Sequence, residues 1–101
     1  MIEITVTCKN QREADTIAAA LLQQRLIACA NSFPVRSVYR WQGKIERSRE
    51  VMMIIKTHST KIRKVKQIIF KLHSYQLPVI TISNKQSTLK AEAWVRKVTH
   101  N

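Results

Sequence analysis

Two strand-like stretches, residues 27–41 and 44–57, meet at Gln42-Gly43, and this pair constrains the fold more than any other feature. Gly43 is the only glycine in the chain. It stands where a two-residue connection between antiparallel strands needs positive φ, which glycine adopts at little cost. Along the first stretch Val35, Tyr39 and Trp41 share one face and Arg36, Val38 and Arg40 the other, with Pro34 expected at a bend or an edge. The second stretch has at its centre Val51-Met52-Met53-Ile54-Ile55, apolar on both faces. Strands usually run to about 5–6 residues, so arms this long overhang any small sheet. An overhang that is apolar on both faces is expected to pack against another copy of the chain. The sequence therefore predicts an obligate oligomer.

The remaining hydrophobic residues change period as they go. Ile2, Ile4, Val6 and Cys8 alternate with Glu3, Thr5 and Thr7, the pattern of a half-buried strand. Asn10 and Glu13 have the spacing of a capping box. Ala14, Ile17, Ala18, Leu21 and Leu22 then follow a helical period. Ser59 or Thr60 is expected to cap a second helix, with Ile62, Val65, Ile69 and Leu72 as its buried stripe. A short apolar strand over residues 79–82 and a last helix carrying Ala91, Trp94, Val95 and Val98 on one face complete the chain. The order β-α-β-β-α-β with an added helix predicts an α+β fold, a ferredoxin-like sandwich with a long central hairpin and an extra C-terminal helix. No repeat or composition break interrupts it, so residues 1–101 are expected to form a single domain.

One glycine excludes a Walker-A loop and a dinucleotide fingerprint, which both need several. Eighteen Lys and Arg against six Asp and Glu give a net charge of +12, which draws anionic partners. The basic run Lys61, Arg63, Lys64, Lys66 and Lys71 could track the phosphates of a nucleic acid, with Arg36, Arg40, Arg47 and Arg49 elsewhere. Single-stranded RNA binding on such a sheet needs exposed aromatics. The strand aromatics here, Phe33, Tyr39 and Trp41, are expected to be buried by oligomerisation, so nucleic-acid binding ranks below the other functions. Cys8 and Cys29 make no C-x-x-C pair and no disulfide framework, which places the chain in a reducing compartment, the cytoplasm. No apolar run approaches the ~20 residues of a membrane span, and the alternating N-terminus does not read as a signal peptide. No Cys–His–Asn or Ser–His–Asp order stands out, and the carboxylates of Glu46 and Glu50 lie among cations that keep both ionised. Neither catalysis nor an organic cofactor is expected. Tyr39, Trp41, Gly43, Lys44, Glu46 and Glu50, around the hairpin tip, read either as a ligand pocket or as a subunit interface.

The same segment carries a resemblance. Ser37-Val38-Tyr39-Arg40-Trp41-Gln42-Gly43-Lys44-Ile45-Glu46, with Glu50, Met53 and Lys56-Thr57 after it, resembles the CutA divalent-cation-tolerance family. Leu26-Ile27-Ala28-Cys29-Ala30-Asn31 and His73-Ser74-Tyr75-Gln76-Leu77-Pro78 extend the likeness over essentially the whole chain. The resemblance implies a non-enzymatic homotrimer, similar in architecture to PII signalling proteins and associated with tolerance of copper and other divalent metals. It implies metal ligation by Cys8, matching a first-strand cysteine, and by His73, matching one of the histidines before the tyrosine. Leu72 stands where the family has a second histidine, and Ser74 replaces a proline. A thiolate and an imidazole suit copper and zinc, yet Cys8 also fits a plain core position beside Ile2, Ile4 and Val6. Cys29 is expected to serve packing alone. The alternative is a PII-like sensor that takes a small anionic ligand in inter-subunit clefts, with Lys44 and Lys56 as contacts beside Tyr39, Trp41, Glu46, Glu50 and Tyr75.

Overall fold

A computed structural model describes residues 1–100. The N-terminal alternation forms β1 (Ile2–Cys8), which buries Ile2, Ile4, Val6 and Cys8 on one face. Helix α1 (Gln11–Gln23) follows, capped by Asn10 and burying Ala14, Ile17 and Leu21. With no glycine at its end, Arg25 takes the left-handed cap conformation at φ 55°, and the Leu26 N–H bonds back to the Leu21 carbonyl. Strands β2 (Cys29–Trp41) and β3 (Lys44–Thr57) form the long hairpin. A 3-10 turn over Ser59–Lys61 leads into α2 (Ile62–Leu72), and β4 (Ile80–Asn84) and α3 (Leu89–Val98) complete the order.

The sheet order is β2-β3-β1-β4 with every pair antiparallel, the arrangement of a ferredoxin-like α+β sandwich. Helix α1 packs on α2, and the two cover the face from which Ile4, Val6, Met53 and Ile55 project. Ile17, Leu21, Val65 and Ile69 answer from the helices, all without solvent exposure. Each such side chain contributes about 1.5–3 kcal/mol by leaving water. Met52 and Ile54 alternate onto the opposite face, which no helix covers, and they stay half-buried there.

Several local expectations shift by a residue or a role. The second helix is not capped by Ser59 or Thr60. The chain tightens into a 3-10 turn first, capped by the His58 Nδ1, which accepts the Thr60 N–H at 3.3 Å, and α2 then starts after Lys61 with no side-chain cap. Leu72, the last residue of α2, is exposed rather than buried. The last strand starts at Ile80, leaving Val79 outside it and exposed. Trp94 is also half-exposed, so Val95 anchors α3 nearly alone.

The hairpin outruns its neighbours as the sequence predicts, but the overhang is not apolar on both faces: Val51–Ile55 lie beside β1, and residues 44–50 beyond them are mostly charged. β1 pairs with β3 only from Thr57 back to Val51, so residues 44–50 have β2 as their only strand neighbour among the described residues. Gln42 at φ 50° and Gly43 at φ 79° close it with both central residues left-handed, the type I′ pattern. The result is an elongated molecule of 45 × 25 × 20 Å. Val38, Tyr39, Trp41 and Ile45 stand exposed on an extension two strands wide, which is marginal in water by itself.

Candidate functional site

Only Lys9 and Asn10 separate β1 from α1, so the strand's last residue and the helix's first turn share one corner. The Asn10 Oδ1 accepts the Glu13 N–H at 2.9 Å. Glu13 folds back in return, and its Oε1 accepts the Lys9 N–H at 2.9 Å. This is the predicted capping box with its return bond moved one residue upstream. The second oxygen, Oε2, reaches across to accept the Ser74 N–H at 3.0 Å, tying the start of α1 to the segment that leaves α2.

That segment delivers His73 to the same corner. Its Nε2 lies 2.8 Å from the Thr7 carbonyl oxygen, which can only accept, so Nε2 carries the proton. Nδ1 is then the acceptor, and it takes the Tyr75 N–H at 3.1 Å. Nδ1 also sits 3.7 Å from Glu13 Oε1. The Cys8 Sγ completes the group, and one ligand atom from each of Cys8, Glu13 and His73 lies within 4.8 Å of the others. Tyr75 packs its ring against His73 at a centroid distance of 4.7 Å and donates its hydroxyl to Glu50 Oε1 at 2.5 Å. Glu50 is buried at the root of the hairpin overhang.

Burial, then the charges of Glu13 and Glu50, push the Cys8 thiol up to about 11, so it is protonated at neutral pH. Burial alone would also raise the Glu13 carboxyl. Hydrogen bonds from Lys9 and Ser74, with His73 nearby, outweigh it and hold Glu13 below its ordinary value. Burial and the bond to Glu50 raise the Tyr75 phenol, which therefore stays a donor.

Of the residues singled out in the sequence, Cys8, His73, Tyr75 and Glu50 are brought into one neighbourhood. Tyr39, Trp41, Lys44 and Glu46 lie apart from it at the hairpin tip, where Trp41 pairs with Lys44 and Tyr39 with Glu46. Ser48 donates to the Tyr39 hydroxyl at 3.5 Å. Lys56 sits at the other end of β3, opposite Cys29 and Glu3. At ~3.3 Å per residue, Lys44 and Lys56 are roughly 40 Å apart along the strand. No single cleft within one chain holds both, so a shared site would have to draw them from different protomers. Glu13 was visible in the sequence only as a capping residue. Its place beside Cys8 follows from the two-residue connection between strand and helix.

The family described as CutA1 divalent ion tolerance protein matches residues 2–98. Protein CutA of Homo sapiens is 39% identical over 98 residues, covering 95% of this chain, and the chain spans 55% of that protein's length. The solved structure of the periplasmic divalent cation tolerance protein CutA from Archaeoglobus fulgidus superposes with a TM-score of 0.93 at 36% identity, covering 99% of this chain and 100% of that one. A PII-like protein CutA from Nostoc sp. PCC 7120, in apo form, gives 0.92 at 28% identity, with 99% and 98% coverage. With the strand order, the hairpin and the His73–Pro78 segment in place, the chain belongs to the CutA1 divalent ion tolerance family.

Proposed function

We propose that this chain is a non-enzymatic divalent-cation-tolerance protein that works as a cytoplasmic homotrimer and takes copper or another divalent metal at Cys8 and His73, with Glu13 as a third donor. The observation that carries this reading is the convergence of thiol, imidazole and carboxylate within 4.8 Å. That donor set suits copper and zinc, and three protein ligands leave a position for water. Metal–donor bonds of about 2.0–2.3 Å require the cluster to contract slightly. The His73 Nδ1 would also have to release the Tyr75 N–H, and Cys8 its proton. Binding that displaces one thiol proton strengthens about tenfold per pH unit up to the thiol's own pKa. A neutral-pH site built this way is therefore weak and strongly pH-dependent.

The assembly rests on the two-stranded overhang and on Met52 and Ile54, which stay only half-buried among the described residues. The compartment rests on two free cysteines. Because the Archaeoglobus fulgidus relative is described as periplasmic, cell fractionation is the deciding measurement.

Calorimetry with Cu(II), and with Cu(I) under reducing conditions, tests the metal site. His73→Ala and Cys8→Ser should each weaken binding without dissociating the trimer, and Cys29→Ser should leave it unchanged. If wild type and the Cys8→Ser, His73→Ala double variant give the same isotherm, the cluster serves only to join β1, α1 and the segment after α2. Light scattering should report three chains per particle, and a stable monomer would refute the assembly. The second reading is a PII-like sensor, supported by the description of the Nostoc relative as PII-like. It would take a small anion between protomers at Lys44, Lys56, Tyr39, Trp41 and Glu46, and the hairpin tip should then become ordered only when that ligand is added. Nucleic-acid binding along α2 is the least supported of the three.

A further inference from the structure

We infer that the junction of the 3-10 turn with the C-terminal end of α3 is a binding site for a small, polar, phosphate-bearing molecule. A cavity of about 310 Å³ opens there, lined by His58, Thr60, Lys61, Arg96, Thr99 and His100. Its volume is at the lower end of those that hold small ligands. Among the described residues every one that lines it has a polar side chain and none is acidic. Lys61 and Arg96 come from elements far apart in sequence, so their meeting is a product of the fold rather than of a local charge run.

The two cations also have no ion-pair partner among the described residues. Among the described residues the ion pairs are Met1–Glu92 and His73–Glu13, and neither involves a lysine or an arginine. Glu92 lies one turn before Arg96 on α3, but its carboxylate is held 2.8 Å from the Met1 amino group. The wall itself is fixed. The His58 Nδ1 is occupied by Thr60, with its hydroxyl oxygen 3.0 Å away and its N–H at 3.3 Å. The Thr99 hydroxyl donates to the Val95 carbonyl at 2.7 Å. The Lys61 ammonium and the Arg96 guanidinium are thus the groups left to meet a ligand, with the two imidazoles beside them.

Two full positive charges match the charge of about −1.5 to −2 that a phosphomonoester carries at neutral pH, better than they match a single carboxylate. The guanidinium fork suits two phosphate oxygens at once, and lysine supplies a point charge. A predominantly polar wall favours a body rich in hydroxyls over an apolar one. This site uses no residue of the Cys8 cluster or of the hairpin tip, so it stands or falls independently of the metal reading.

The test is a titration of the assembled protein with inorganic phosphate, glucose 6-phosphate and glucose, followed by calorimetry and by amide shifts of Thr60, Thr99 and His100. Phosphate should bind with a dissociation constant on the order of 1 mM, glucose 6-phosphate more tightly, and glucose not at all. Lys61→Gln with Arg96→Gln should weaken phosphate binding at least ~10-fold, each bidentate or charge-assisted contact being worth about that much. Arg63→Gln with Lys71→Gln removes the same charge outside the cavity and should leave the affinity nearly unchanged. Among the described residues neither Lys61 nor Arg96 makes an ion pair, so both double variants should melt with wild type, and that is checked first. The inference is overturned by the absence of saturable binding or by equal weakening in both double variants. It is equally overturned if a single-stranded oligonucleotide displaces phosphate in a way both variants impair, which would mark an extended basic face.

Discussion

Replacing Gly43 by valine isolates the conformational cost of the hairpin turn. A Cβ added at this position meets nothing within 4 Å, so the substitution introduces no clash and removes no packing. What it must do is hold an L-residue at φ 79°, which costs about 1–2 kcal/mol, with β-branching at the upper end. Stiffening the unfolded chain returns about 0.4–1 kcal/mol. The net loss is therefore about 1 kcal/mol per chain, or a fall in Tm of about 4–8 °C for a domain of this size. Melting should be followed by circular dichroism at one fixed protomer concentration, because assembly makes Tm concentration-dependent. Light scattering at the same concentration should show weaker association, since the tip belongs to the unsupported overhang. Gln42→Asn is the opposing control. Gln42 already sits at φ 50°, where asparagine is several-fold enriched over other non-glycine residues, so this variant should melt slightly higher. If Gly43→Val melts with wild type, the turn geometry or its importance to the hairpin is wrong.

Two further outcomes follow from the corner between Cys8 and Tyr75. Glu13 is held below its ordinary carboxylate value in the folded chain, so its contribution is present above the unfolded pKa and is lost as pH falls through the folded one. Glu13→Gln should flatten the acid limb of the stability profile, and an unchanged limb in urea titrations would show the carboxylate to be idle. Tyr75 is raised instead, so its contribution is complete below the unfolded value of 10.0 and is lost as pH rises through the higher folded value. Tyr75→Phe should remove that alkaline loss, and at neutral pH it should cost about 1–3 kcal/mol by leaving the buried Glu50 carboxylate without its donor. Equal stability of wild type and Tyr75→Phe in denaturant would mean that Glu50 finds water instead.

What the sequence made legible was whatever a period or a turn encodes. The alternation of Ile2, Ile4, Val6 and Cys8, the helical stripe through Ile17 and Leu21, and the left-handed pair Gln42-Gly43 each report a local geometry. Strand order followed from connectivity, because two crossovers around a hairpin leave few unknotted alternatives. The site was half legible. Cys8 and His73 were marked by residue type and by resemblance, but Glu13 was concealed by its second role as a cap. Lys44 and Lys56 were grouped by charge when their places on one extended strand separate them. Ser59 and Thr60 do not cap α2 because they lie in a 3-10 turn, itself capped by His58, that shifts the start of the helix, which no hydrophobic period records. The cavity between the 3-10 turn and α3 joins elements with no shared pattern, so only the folded chain exposes it.

The central position of β1 has a consequence for how the chain is made. This strand emerges before either of its sheet partners, β3 and β4, with which it pairs as far as Ile2↔Thr57 and Ile2↔Asn84. The hairpin can zip from its tip as soon as it leaves the ribosome, on the microsecond scale of local strand pairing. β1 must wait, with an apolar face and two open edges, until the segment after α2 has also appeared. A nascent chain is thus exposed to aggregation along β1, and a chaperone that holds this strand until its partners appear should raise this protein's yield.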